Sequence, residues 1–270
     1  MQSLKILCLS SIKGGVGKTV ASVNIAGCLA KLEPDKDFIL IDLDPQGNSS
    51  MYLGFTAKNI ERGTQDVFEG DKPLEYSINT TSIENLFVIP CEISLRNIQL
   101  QISLGELKFD NPSNILKNKI DDFRNKIVRD TYIILDTHPD FDIFTVNALM
   151  CSDRVICPIL PCEFAIHGFD LLVNNIDSIR EKYNKRLRVM GLFKSNWNKS
   201  NTTTVKDIEC GLGYYDKFLM NTTIPSSIDV EKSKNERIPL VYSSCRNNQV
   251  SKNYMKLAEE ILKRWERVIR

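Results

Sequence analysis

The sequence predicts an α/β fold: one domain over residues 1–270, with a mostly parallel, twisted sheet covered by helices on both faces. Three observations carry this. Short apolar runs such as FILID and YIILD recur along the chain, and continuous apolar strands suit a sheet buried on both sides. Longer amphipathic stretches separate them, the alternation that builds parallel sheets. No Gly/Ser/Pro-rich linker and no internal repeat breaks the pattern.

The elements follow in chain order. Strands are expected at Leu4–Ser10, Phe38–Asp42, Leu86–Pro90, Tyr132–Asp136, Arg154–Leu160 and Leu187–Phe193, each an apolar run of strand length. Helices are expected at Lys18–Leu32, Ser94–Gly105, Ser113–Lys126, Phe169–Tyr183 and Thr203–Phe218, with a terminal helix over about 251–270. Apolar residues make up 42% of the chain and charged residues 26%, which supports a core and argues against disorder. No apolar run reaches the ~18 residues of a membrane span. The first nine residues lack signal-peptide architecture, so a cytoplasmic location is expected.

A net charge of +1 conceals an asymmetry. Residues 1–179 carry 16 Lys/Arg and 24 Asp/Glu, whereas residues 180–270 carry 19 and 10. A basic last third suggests an anionic partner such as nucleic acid or membrane. The eight cysteines include no C-x-x-C pair and read as reduced, buried packing residues. Cys151, Cys157 and Cys162 form a loose group without metal-ligand spacing.

The first strand runs into Ser11-Ile12-Lys13-Gly14-Gly15-Val16-Gly17-Lys18-Thr19, then a helix. Strand, glycine loop and helix N-terminus are the context of a phosphate-binding P-loop. Lys18 is placed to reach the β- and γ-phosphates of ATP, and Thr19 to ligate Mg2+. Ile12 stands where the ordinary motif has its first glycine, and Lys13 is an additional lysine.

K-G-G-V-G-K-T resembles the deviant Walker A motif of the ParA/MinD family of P-loop ATPases. Asp42-Leu43-Asp44-Pro45-Gln46-Gly47-Asn48 is similar to the D-x-D-P-Q-G-N segment of the ParA branch, and Ile133–Asp136 to its Walker B strand. The likeness continues through Thr145–Leu149, Pro161–Ala165 and Thr223–Ser226. It implies that Lys13 crosses an ATP-dependent sandwich homodimer to the partner's phosphates and that Gly14 keeps that interface close. It implies nucleotide contacts from Gly14, Gly15, Val16, Gly17, Lys18, Thr19 and Val20, with Asp44 acting on the attacking water. Mg2+ is assigned to Thr19, Asp42 and Asp136, although Asp42 reads equally as a turn-capping carboxylate.

Several positions depart from the family pattern. Val20 replaces a second hydroxyl residue near the α-phosphate. Thr137-His138-Pro139-Asp140-Phe141-Asp142 replaces P-P-S-L-G in the γ-phosphate-sensing segment. His138 reads as a surface or packing residue, with a catalytic role as the alternative. Asp140 and Asp142 are expected to point away from the phosphates or toward a partner. The base pocket is assigned to Asn196 and Pro225.

For the basic third the resemblance implies binding of nonspecific DNA, assigned to Lys199, Lys232, Lys234, Arg237 and Arg246. The family's usual Arg after Ile-Pro is absent, and Asp229 lies near that position. Tyr254, Leu257, Ala258, Ile261 and Trp265 follow helical spacing, which serves core packing or, as in the MinD branch, an amphipathic membrane anchor. Three glutamates on that helix argue against a membrane. The first strand begins by Leu4, so no N-terminal DNA-reading extension is expected. The expected function is a nucleoid-associated, DNA-partitioning ATPase stimulated by a ParB-like centromere-binding partner. The alternatives are a MinD-like positioning ATPase and an ATP-binding scaffold with little turnover.

Overall fold

The strand Leu4–Leu9 (β1) lies inside the sheet because both its faces are apolar. Ile6 and Cys8 enter one core layer and Leu7 and Leu9 the other, as the two-residue period of a strand requires. The strands Asp37–Asp42 (β2) and Thr131–Asp136 (β5) divide the same way: Ile39, Ile41, Ile133 and Leu135 face one layer, and Phe38, Leu40, Tyr132 and Ile134 the other.

The computed structural model describes residues 2–160, 165–197 and 213–266. The remaining strands are Asn79–Thr80 (β3), Leu86–Ile89 (β4), Arg154–Ile159 (β6), Arg188–Lys194 (β7) and Leu219–Thr223 (β8). One sheet results, in the order β3-β4-β2-β5-β1-β6-β7-β8. The β3–β4 pair is antiparallel and the rest are parallel. The chain leaves β1 for one side through β2 and later for the other through β6. That reversal opens a crevice at the carboxyl ends of the strands, where α/β sheets bind ligands.

The described helices are α1 (Lys18–Leu32), α2 (Asn48–Tyr52), α3 (Thr64–Glu69), α4 (Leu95–Leu104), α5 (Ile115–Arg124), α6 (Ile143–Cys151), α7 (Ala165–Lys182), α8 (Asp229–Glu236) and α9 (Gln249–Glu266). Helices α1, α2 and α9 cover one face of the sheet; α3 to α7 cover the other. The six expected strands are present within a residue or two. β3 and β8 were not expected: β3 is two residues long, and β8 (LMNTT) is a largely polar edge strand. The helix expected over Thr203–Phe218 lies largely outside the described residues, and its Gly213–Tyr215 portion is a 3-10 turn. Pro161–Phe164, Lys199 and residues 267–270 also lie outside them.

On α9, Tyr254, Leu257, Ala258 and Ile261 are buried against the domain, so the apolar stripe is committed to the core. Among the described residues no helix is long and apolar enough to cross a membrane. The six described cysteines are free and buried.

Two helical glycines make opposite predictions. A Cβ on Gly27 of α1 would lie 2.5 Å from the Cβ of Pro239, whereas a Cβ on Gly168 of α7 meets nothing within 4 Å. Gly27→Ala should therefore destabilise by about 1–3 kcal/mol through overpacking. Gly168→Ala should stabilise by about 0.5–1 kcal/mol through helix propensity. Urea unfolding midpoints at unchanged m-value check both signs.

Candidate nucleotide site

The loop between β1 and α1 takes its shape from its glycines. Gly15 (φ +73°) and Gly17 (φ +89°) lie in the left-handed region, and a Cβ on Gly17 would also come within 2.8 Å of Ser195 Oγ. Gly17 is the N-cap of α1 and has no side chain to cap with, so the first N–H groups of the helix are left for an anion. Lys18 is buried and folded back over the loop, its Nζ donating to the carbonyls of Ser11 and Lys13 at 3.4 Å each. Burial lowers its pKa, and the nearby Asp136 opposes the shift.

Asp136 ends β5 with no solvent exposure. Its Oδ1 accepts from Ser22 Oγ at 2.9 Å, and its Oδ2 has no partner. Burial, then the neighbouring Asp42, pushes its pKa up to about 7, and bonds from Ser22 and Thr19 partly offset this. A buried carboxyl with one orphaned oxygen beside the Thr19 hydroxyl is a donor set suited to a hard divalent cation. No group of three His, Cys, Asp or Glu among the described residues could hold a metal by itself. Such an ion therefore needs phosphate and water oxygens to complete its shell.

The structure separates Asp42 from Asp44. Asp42 is fully buried: its Oδ2 accepts from Ser50 N at 2.9 Å and Ser50 Oγ at 2.6 Å, and its Oδ1 from Asp44 N at 3.1 Å. Its carboxylate is thus a clamp on the turn after β2, and it does not line the cavity. Burial pushes its pKa up to about 6. Asp44 lines the cavity, with Oδ1 accepting from Gln46 N at 2.9 Å. The turn closes on Gly47 (φ +62°), where a Cβ would lie 2.5 Å from the Cys91 carbonyl oxygen.

A cavity of about 750 Å³ joins these parts. Residues 15–20 form its floor, with Asp44, Gln46, His138 and Pro139 along it and Glu231, Lys234 and Asn235 of α8 opposite. A second cavity of about 350 Å³ shares Gly15, Gly17, Val20, Glu231 and Lys234, and brings Asn196 and Pro225 together. Lys13 and Gly14 line neither cavity. Lys13 is exposed, and a Cβ on Gly14 would meet only Pro139, at 3.9 Å.

The His138 ring stands between two carboxylates. Its Nε2 lies 4.0 Å from Asp44 Oδ1 and its Nδ1 3.3 Å from Asp140 Oδ2. Asp142 caps α6, accepting from Thr145 N at 2.8 Å, so its carboxylate is engaged there.

Sequence reasoning missed the polar chain that holds α8 over the cavity. Asn24 of α1 accepts from Leu240 N at 2.8 Å and donates to the Tyr52 hydroxyl, which lies 2.6 Å from Ser233 Oγ of α8. Ser22 and Asn24 were the available signal: two polar residues in a helix apolar all round need buried partners.

Four of the five basic residues assigned to DNA lie among the described residues, between Lys232 and Arg246. Lys199 lies outside the described residues. Lys232 pairs with Asp229 at 3.4 Å and Lys234 with Glu231 at 2.7 Å. Lys234 also lines both cavities. Arg237 packs against Gly54, and Arg246 is exposed. Asp229 is held by Asn248 at 2.8 Å, which lowers its pKa.

The sequence profile of a family described as an AAA domain (AAA_31) matches residues 4–189. Over 267 residues the chain is 30% identical to the chromosome partitioning protein ParA of Caulobacter vibrioides, covering 97% of this chain and 95% of that protein. The chain belongs to the ParA/MinD family of P-loop ATPases. The sporulation initiation inhibitor protein Soj of Bacillus subtilis is 29% identical over 261 residues, covering 95% of this chain and 98% of Soj. The fold is that of cobyrinic acid a,c-diamide synthase from Mycobacterium smegmatis, solved with ADP and magnesium: TM-score 0.79 at 21% identity over 97% of this chain and 96% of that one. The fold, the glycine loop and the two aspartate-bearing strand ends are thus those of a ParA/MinD ATPase.

The raised carboxyls set a pH dependence. Asp42 and Asp136 hold their protons more tightly folded than unfolded. Between about pH 4 and pH 7 the folded protein binds more protons, so its stability falls as pH rises through that window. Nucleotide-free melting curves from pH 5 to pH 8 should show this decline, and Asp136→Asn should flatten it.

Proposed function

We propose that the protein is a DNA-partitioning ATPase that closes into a sandwich homodimer around ATP and Mg2+. The dimer binds DNA without sequence preference, and a ParB-like centromere-binding protein stimulates hydrolysis and release. The observation that carries this reading is the division of the two loop lysines. Lys18 is buried beside Asp136, while Lys13 is exposed and outside its own protomer's cavity. A second, exposed lysine that does not line its own cavity is suited to neutralise phosphate charge in a facing one.

Within one site, Lys18 and the backbone N–H groups of residues 15–19 bind the phosphates. Thr19 and Asp136 would hold Mg2+, whose charge would offset that of the phosphates. Asp44 orients the attacking water, and Asp42 holds Asp44 through the turn. Asn196 and Pro225 take the base end. Val20 supplies no hydroxyl, so the α-phosphate relies on backbone donors. The protein acts in the cytoplasm on the nucleoid.

A MinD-like membrane role has less support, because the stripe of α9 is buried. The scaffold reading rests on Val20 and on His138 standing beside Asp44. Phosphate release distinguishes it. Asp44→Ala should cut turnover by about 10²-fold or more while ATP-driven dimerisation, read by size exclusion, persists. A wild type that releases no phosphate supports the scaffold, and one that stays monomeric with ATP contradicts the main reading.

His138→Ala should leave the nucleotide-free melting temperature nearly unchanged, since the ring is partly exposed and its polar neighbours among the described residues are Asp44 and Asp140. Turnover should change with ATP affinity retained. Paired phosphate-release and nucleotide-titration measurements check this.

A further inference from the structure

At the end of the sheet opposite the nucleotide, a cleft of about 470 Å³ opens where three parallel strands begin. It is lined by Lys5 of β1, Arg154 of β6, and Lys185, Arg186 and Arg188 leading into β7, with Trp265 of α9 and Asp153. Arg154 and Arg188 are direct register partners across β6 and β7, so their backbones lie about 4.8 Å apart. Among the described residues neither makes an ion pair. Arg154 Nη1 donates to the Asp153 carbonyl at 3.0 Å, and Arg188 Nη1 to the carbonyls of Lys185 at 2.6 Å and Leu187 at 2.8 Å. These bonds fix where each guanidinium sits without neutralising it.

Asp153 is the one acidic lining residue, and it is already engaged. Its Oδ2 accepts from Ile6 N at 2.9 Å, and Arg186 Nε stands 4.0 Å from its Oδ1. Lys5 is held over the Tyr132 and Trp265 rings, at 5.1 and 5.7 Å from their centroids. Five cations thus converge on a concavity with one carboxylate. Burial and the facing Arg188 both weigh against the charged form of Arg154, a cost that a bound polyanion would relieve.

We infer that this cleft docks the phosphate backbone of nucleic acid, with Arg154 and Arg188 inside it and Lys185 and Arg186 at its mouth. The choice of nucleic acid rests on the DNA-binding reading above. Paired guanidinium forks match phosphate oxygens, and a duplex backbone can enter a concavity that a flat lipid surface does not reach. The cleft and the nucleotide cavity lie at opposite ends of six-residue strands, about 20 Å apart, so both fill at once. A dimer closed over the P-loops carries two clefts at its outer ends.

The test is fluorescence anisotropy of a labelled random-sequence duplex with full-length protein and ATP, across a salt series. It compares wild type, R154Q/R188Q, and K185E/R186E at the exposed mouth, which keeps the test valid if the first variant does not fold. Each variant should lose roughly tenfold or more in affinity, and the salt slope should shrink by about 2, near 0.9 per lost phosphate contact. ATP turnover and dimerisation should match wild type. If wild type binds and both variants bind equally well, the cleft is overturned and the partition reading stands. If wild type never binds duplex, both fall. If the variants instead lose binding to phosphatidylglycerol vesicles while duplex binding is intact, the ligand is lipid and the inference fails.

Discussion

The buried carboxyl of Asp136 is the constraint on which the rest of the site depends. It sits at the end of β5, in register with Asp42 of β2 and Leu9 of β1, so the ends of both flanking strands meet it. Taking a carboxylate out of water is expensive unless its oxygens are satisfied, and here one oxygen is not. Ser22 supplies one bond from α1, and the loop lysine stands near, itself buried. Such a centre is tolerable in a folded protein when a cation and phosphates complete it. The left-handed glycines, the exposed N-terminus of α1 and the clamp around Asp42 bring those groups to Asp136.

A second layer of polar contacts makes the crevice one object. Asn24, Tyr52 and Ser233 tie α1, α2 and α8 together through buried hydrogen bonds. The helix that follows the Asp44 turn and the helix that roofs the cavity therefore share an anchor on the helix that begins at the phosphate loop. Displacing α8 would break this chain and strand buried donors, so occupancy of the cavity and the position of α8 are mechanically linked.

The central strands, α1 and the glycine loop were legible because one local signal decided each: apolar run, helical length or glycine spacing. β8 and the short helices α2, α3, α6 and α8 were not, since LMNTT and DVEKSKNE carry too little apolar periodicity to register. Asp44 lines the cavity. The sequence left Asp42 open between a metal role and turn capping, because the Ser50 side chain that engages its carboxylate lies eight residues on. Lys234 read as part of a basic surface, but α8 brings it over the nucleotide cavity. The charge split at residue 180 was equally partial. The basic cleft combines Arg186 and Arg188 from the basic third with Lys5 and Arg154 from the acidic part, which only the sheet order brings together.

One protomer thus holds a glycine loop, the buried Asp136 carboxyl and Asp44 lining the cavity, but its own Lys13 does not line that cavity. The most direct test of completion in trans is to mix Lys13→Ala and Asp44→Ala protein and measure phosphate release. Each is expected to be inactive alone, while a heterodimer joins the Asp44 of one protomer to the Lys13 of the other and regains up to one working site. Recovery on mixing is the predicted result. A mixture as inactive as its components would contradict the account, because Lys13 would then be serving its own protomer's nucleotide.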